Sequence, residues 1–200
     1  MAASPRIVLM HATPIAIAPV HAAFAADWPE AEIVNLLDDG LSIDRSREPE
    51  MLSDELSAFG PAIDRLAREL PVPVVKPNEA MFEEAAAKGT RIGMLATFAP
   101  AIATMEDEFR DFASRSRSQA VLTTVLVPDA IDHLRRGDVA GHNERVSLSS
   151  VALEDMDVLM LAHFSTSVAA ASVRRRVTIP ILTAPHAAVA RMRHLVTRRG

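Results

Sequence analysis

The chain has 200 residues, 49% of them apolar, a formal net charge of −5 and a pI near 5.8. That is enough apolar content for a buried core, and the acidic balance argues against a dominant nucleic-acid role, which needs a concentrated positive field. With no cysteine, disulfides, thiolate metal sites and cysteine nucleophiles are excluded too.

Short apolar runs alternate with stretches of helical period, the pattern of parallel strands joined by crossover helices. Strands are expected at residues 6–10, 32–37, 72–75, 91–96, 120–127, 157–162 and 180–183. Helices are expected at 14–26, 60–69, 79–88, 100–115, 130–135, 147–153, 167–175 and 187–196, several with proline in the first turn. Pro14 and Pro19 interrupt the apolar N-terminal run, so neither a signal peptide nor a membrane span is expected, and the cytoplasm is the expected location. Arg174, Arg175 and Arg176, and the arginines from Arg191 onward, read as solvated helix faces or helix C-terminal charge.

An internal repeat is visible. A shift of 85 residues lays RIVLMHATPIAIAPVHAAF, from Arg6, on RIGMLATFAPAIATMEDEF, from Arg91, without a gap. Further on, a shift of 107 places Pro73 to Val75 on Pro180 to Leu182, so the first half is about 22 residues shorter. The same shift lays EMLSDE, from Glu50, on the apolar strand DVLMLA, from Asp157. The expectation is an α/β protein of two similar parallel-sheet halves, residues 1–89 and 90–200. The first, shortened near 42–56, would have three strands and the second four.

Ligands gather beyond the carboxyl ends of parallel strands. The polar residues there are His11, Thr13, Asp38, Asp39, Lys76 and Asn78 in the first half, and Thr97, His163, Ser165, Thr166, Thr183 and His186 in the second. His163 follows a buried-strand pattern at a strand-to-helix turn and can serve as acid or base, or simply hold the turn. Ser57, Ser165 and Thr166 can hold a carboxylate or cap helices. No spacing signature makes His11, His163, His186 and Asp38 a metal site. His21, His133, His142 and His194 read as surface residues. No glycine-rich phosphate loop, nucleophile elbow or zinc-protease pair occurs, and the 7 glycines leave no place for a dinucleotide fingerprint.

The segments HATPIAIAPV from His11, NLLDDGLS from Asn35, SAFGPAID from Ser57, PVPVVKPNEAM from Pro71, RIGMLATFAP from Arg91 and LAHFS from Leu161 carry a resemblance. In this order the chain resembles the aspartate/glutamate racemase superfamily over nearly its whole length. The resemblance implies two pseudo-symmetric halves with an interdomain site, no cofactor, and substrates such as amino acids, hydantoins, malonates or maleate. It also implies one catalytic thiol from each half, and here those positions hold Leu56 and His163. Leucine can neither take nor give a proton, so two-thiol racemisation is excluded. The chain is then a shortened relative that has lost its active site, or a divergent one using His163 as its single base. In the second case the carboxylate would lie in a cradle of Ser57, Thr97, Ser165 and Thr166, with His11, Thr13 and Asn78 as further binding candidates. The alternative is a non-catalytic binding or assembly protein, a homo-oligomer that covers the edge left by a missing strand.

Overall fold

The structure, a computed structural model, describes residues 4–11, 14–38, 40 and 59–198. Its contacts divide the chain into two units, Met1–Lys76 with Ala188–Gly200, and Pro77–Ala187. Each is an α/β arrangement with parallel strand pairing.

In the first unit, β1 (Arg6–His11) leads through a 3-10 turn (Pro14–Ala16) into α1 (Ile17–Asp27) and then β2 (Glu32–Leu37). β1 and β2 pair in parallel, with Ile7 opposite Ile33, Leu9 opposite Asn35 and His11 opposite Leu37. Strand side chains alternate between faces, so these pairs share one face. Ile7 is buried there, and α1 contributes Val20, Ala23 and Phe24 to the core, Phe24 stacking on Trp28 at 6.2 Å. α2 (Phe59–Glu69) follows, and Lys76 closes an ion pair with Asp64 at 2.8 Å.

The expected strand at 72–75 does not form. Pro71, Pro73 and Pro77 punctuate this stretch, and each lacks the N–H that a sheet ladder requires. The expected three-strand sheet is therefore a two-strand sheet among the described residues. The segment at 42–56, where the shortening was expected, lies outside them.

The second unit begins with α3 (Pro77–Lys88) and β3 (Arg91–Ala96). A 3-10 turn (Ala99–Ala101), α4 (Ile102–Ser116) and β4 (Val121–Leu126) follow. The strand, 3-10 turn and helix start that begin at Arg6, Pro14 and Ile17 thus recur 85 residues later at Arg91, Ala99 and Ile102. Next come α5 (Ala130–Arg135), α6 (Val139–Ser149), a 3-10 turn (Ser150–Leu153) and β5 (Val158–Leu161). The unit closes with α7 (His163–Ser167), α8 (Ala170–Arg174), β6 (Ile181–Thr183) and the start of α9 (Ala184–Thr197).

The four strands run parallel in the order β4, β3, β5, β6. β5 and β6 are wholly buried, as strands covered on both faces must be. One face packs Leu95, Leu159 and Leu161 against Val146, Val173 and Val177. Alternation turns Met94 and Met160 to the other face. A second apolar set, on α3 and α4, joins Phe82 to Phe109 edge-on at 5.3 Å and to Phe112 at 6.0 Å. At the amino end of β3, the Asp157 carboxylate accepts from the Thr90 and Arg91 N–H groups at 2.9 Å and from the Arg91 guanidinium. The Arg91 backbone bond and then its side chain hold this carboxyl below its ordinary range. Gly89 makes room for it, since a Cβ there would stand 2.3 Å from the Asp157 Cβ.

Two helical expectations are corrected. The helix expected at 147–153 starts instead at Val139, because Asp138 caps it by accepting from the Gly141 N–H at 2.8 Å. The helix expected at 167–175 is two short ones, divided near Val168 and Ala169.

His142, expected at the surface, is fully buried, on the same helix face as Val146 four residues on. Its Nδ1 meets the Asn143 Oδ1 at 2.8 Å, and its Nε2 has no hydrogen-bond partner among the described residues. Burial, the largest cause, lowers its pKa below the ordinary histidine value. Below about pH 6.5 the unfolded chain therefore takes up a proton that the folded chain refuses, so stability falls with pH there. Denaturant midpoints measured between about pH 8 and pH 5 should decline below about 6.5, and less steeply in His142→Leu; an unchanged slope in the variant would contradict this assignment.

Candidate functional site

The carboxyl ends of β3, β5 and β6 gather the polar residues of the second unit. Thr97 follows β3 directly and is buried, with its Oγ1 3.2 Å from the Oγ1 of Thr166, also buried. Thr183 ends β6 opposite Leu161 of β5; its buried Oγ1 has no hydrogen-bond partner among the described residues. Between them, β5 ends and the Ala162 N–H donates to the Leu95 carbonyl at 2.9 Å. The next residue, half-buried His163, opens α7 with φ of 67°.

That φ lies in the left-handed region, which costs a residue with a Cβ about 1–2 kcal/mol. Glycine would avoid the cost. Such strain persists where the surroundings over-determine it, and here the β5 pairing on one side and α7 on the other fix the turn. Residue 163 thus stands at the carboxyl end of an interior strand, where ligands of parallel sheets bind. Half-buried Ser165 lies in the same turn, and Ser167 is tied to the Phe164 carbonyl at 2.5 Å.

The structure brings Thr97 and Thr166 into contact and puts His163 and Ser165 in the adjoining turn. Asn78 lies in the first turn of α3, but its Nδ2 donates to Glu108 on α4 at 2.9 Å, which makes it a tie between helices. Thr13 and Ser57 lie outside the described residues, as do Asp39 and Leu56. His11 belongs to the first unit: it is buried, and its Nε2 meets the Asn35 Oδ1 at 2.9 Å. His21, expected at the surface, reaches the same oxygen at 3.0 Å. With Oδ1 as acceptor, both imidazoles carry their hydrogen on Nε2. Register shows why: Asn35 stands opposite Leu9, on the same face as His11 two residues on.

His133, also expected at the surface, is half-buried and pairs Nδ1 with Asp138 at 2.7 Å. Arg145 donates Nε to its Nε2 at 2.9 Å, so His133 is the Nδ1–H tautomer with its lone pair already used. The Gly141 N–H first, and then His133, hold the Asp138 carboxyl below its ordinary range. This arrangement fixes the start of α6 and has no base to offer. Among the described residues, no group of three or more His, Asp or Glu side chains could hold a metal ion, and no helix is long and apolar enough to cross a membrane.

The sequence matches no known protein-family model, and no curated protein matches it. Solved structures do. An allantoin racemase from Pseudomonas fluorescens is 18% identical, with 97% of this chain and 92% of that one covered at a TM-score of 0.70. A glutamate racemase isoform from Bacillus anthracis is 14% identical, covering 98% and 83% at a TM-score of 0.68. An aspartate racemase from Picrophilus torridus is 12% identical, covering 94% and 93% at 0.64. The chain shares the α/β fold of these racemase structures.

The backbone at residue 163 allows a direct check. His163→Gly should be more stable than His163→Ala by roughly 1 kcal/mol in chemical denaturation, because only glycine adopts this conformation without strain. The opposite order, usual in a helix, would contradict a left-handed residue here.

Proposed function

We propose that this is a cytoplasmic, cofactor-independent racemase-fold protein that binds a small carboxylic acid in the interdomain cleft the sequence resemblance implies, with His163 as its acid/base group. One observation carries the reading: a histidine, not a glycine, occupies the left-handed turn at the carboxyl end of β5. A residue retained against backbone strain at this position is best accounted for by its side chain. The Thr97 and Thr166 hydroxyls beside the turn, with Ser165, supply the neutral donors that a carboxylate needs.

A neutral imidazole at His163 would take the proton from the carbon next to the carboxylate, becoming imidazolium and leaving an enolate-like carbanion. The same imidazolium returns a proton, exchanged with solvent, to the same face. Configuration is therefore retained, since inversion needs a donor on the opposite face, and the thiol expected there is replaced by Leu56. His163 is the catalytic residue of this reading; Thr97, Ser165 and Thr166 are its carboxylate-binding residues. His11, Thr13, Ser57 and Asn78 remain candidates proposed from sequence alone.

A second reading, assembly, is favoured by the outer face of the first unit's sheet. Val8 lies opposite Val34 and Met10 opposite Leu36, exposed by 53%, 37%, 78% and 54%. A contiguous apolar patch of this kind marks an association surface, and a second copy of the chain is the occupant proposed. Light scattering should then find a dimer that Met10→Lys dissociates; a monomeric parent chain contradicts this reading.

For the catalytic reading, amino acids, hydantoins and substituted malonates are incubated with the protein in deuterated water and the α-carbon is followed by NMR. Deuterium should enter at least one class with configuration retained, and His163→Ala should slow entry by about a hundredfold or more. No exchange in any class, or exchange indifferent to the substitution, would overturn it.

A further inference from the structure

A hollow of about 310 Å³ in the second unit is lined by Glu144, Ser147, Ser172, Arg175 and Arg176. Its walls come from the second half of α6, from α8 and from the residues that leave α8 for β6. In a parallel sheet, segments leading from a helix into a strand lie at the amino ends of the strands. The hollow is thus at the opposite end of the sheet from His163.

Of three consecutive arginines, two line the hollow. Arg174 turns away and donates Nη2 to the Ile181 carbonyl at 3.3 Å. Arg176 donates Nε to the Ser147 Oγ at 2.8 Å, and Ser147, itself buried, donates onward to the Ser172 carbonyl at 3.1 Å. Arg175 donates Nη2 to the Ser172 Oγ at 3.0 Å. The one acidic group, Glu144, accepts from Arg176 Nη2 at the longer distance of 3.4 Å.

Two exposed guanidiniums left to themselves would swing apart in water. Serine hydroxyls instead hold both at one cavity, leaving a lining of two positive charges against one negative. Anchored arginine forks with further donors to spare are the preorganised elements of oxyanion recognition. The volume is at the small end of ligand cavities, which run from roughly 300 Å³ upward. Two guanidiniums match a dianion better than a single carboxylate.

We propose that this hollow binds a dianionic phosphate group, free or carried on a small organic molecule, at a site separate from the His163 turn. Phosphorus NMR titrations at constant ionic strength, with chloride as the balancing anion, test it using inorganic phosphate and glycerol phosphate as probes. Saturable binding in the millimolar range or tighter is expected for at least one. Tighter binding of the ester identifies an organic phosphate; equal affinity identifies the free ion. Combining Arg175→Gln with Arg176→Gln should weaken binding at least tenfold, Glu144→Gln should tighten it severalfold, and His163→Ala should leave it unchanged. Should the double variant fail to fold by circular dichroism, Arg175→Gln alone and Glu144→Gln must still move the affinity in opposite directions. No saturable binding of either probe, or affinity indifferent to these substitutions, would overturn the proposal.

Discussion

β5 is the interior strand from which the second unit is organised. It pairs with β3 on one side and β6 on the other, and Leu159, Met160, Leu161 and Ala162 are fully buried. A buried strand cannot fray at its end, because unpaired peptide groups there would go unsatisfied. Pairing persists to the Ala162 N–H, and the chain must turn at once into α7. The whole change of direction falls on residue 163, which adopts the left-handed conformation. Packing of the β5 leucines thus fixes where an imidazole stands, and the Thr97–Thr166 contact fixes the hydroxyls beside it.

The two units differ in how far they meet the same requirement. The second buries β5, β6 and all of β3 after Arg91. The first, among the described residues, has two strands, and its outer face leaves Val8 and Met10 in solvent. Chemistry in the proposed reading therefore rests on groups of the second unit, while the first offers His11, already engaged by Asn35.

Much of the second unit was legible because its strands are continuous apolar runs, and β3 and β6 fall within one residue of expectation. Location of His163 was legible for the same reason: DVLMLA has the pattern of a buried strand, and the next polar residue stands at its end. Its φ was not, since nothing in LAHFS marks a left-handed turn without glycine. Val72 to Val75 misled because apolar, β-branched composition suggested a strand while the flanking prolines removed ladder donors. His142 has no partner pattern in the sequence, and its four-residue spacing from Val146 is the signal of a shared buried face. The partners of His133 and His21 depend on residues 5 to 14 positions away, brought close by a helix start in one case and by strand register in the other.

The racemase fold stands on structural likeness, and the particular claim of this account is that His163 is held by strain at the carboxyl end of β5 for a carboxylate. A high-resolution crystal structure with a small carboxylate such as malonate soaked in tests both parts together. A positive φ at His163 is expected, with a ligand carboxylate within hydrogen-bond distance of Thr97, Ser165 or Thr166. A negative φ at His163, or a carboxylate that binds only away from this turn, would contradict it.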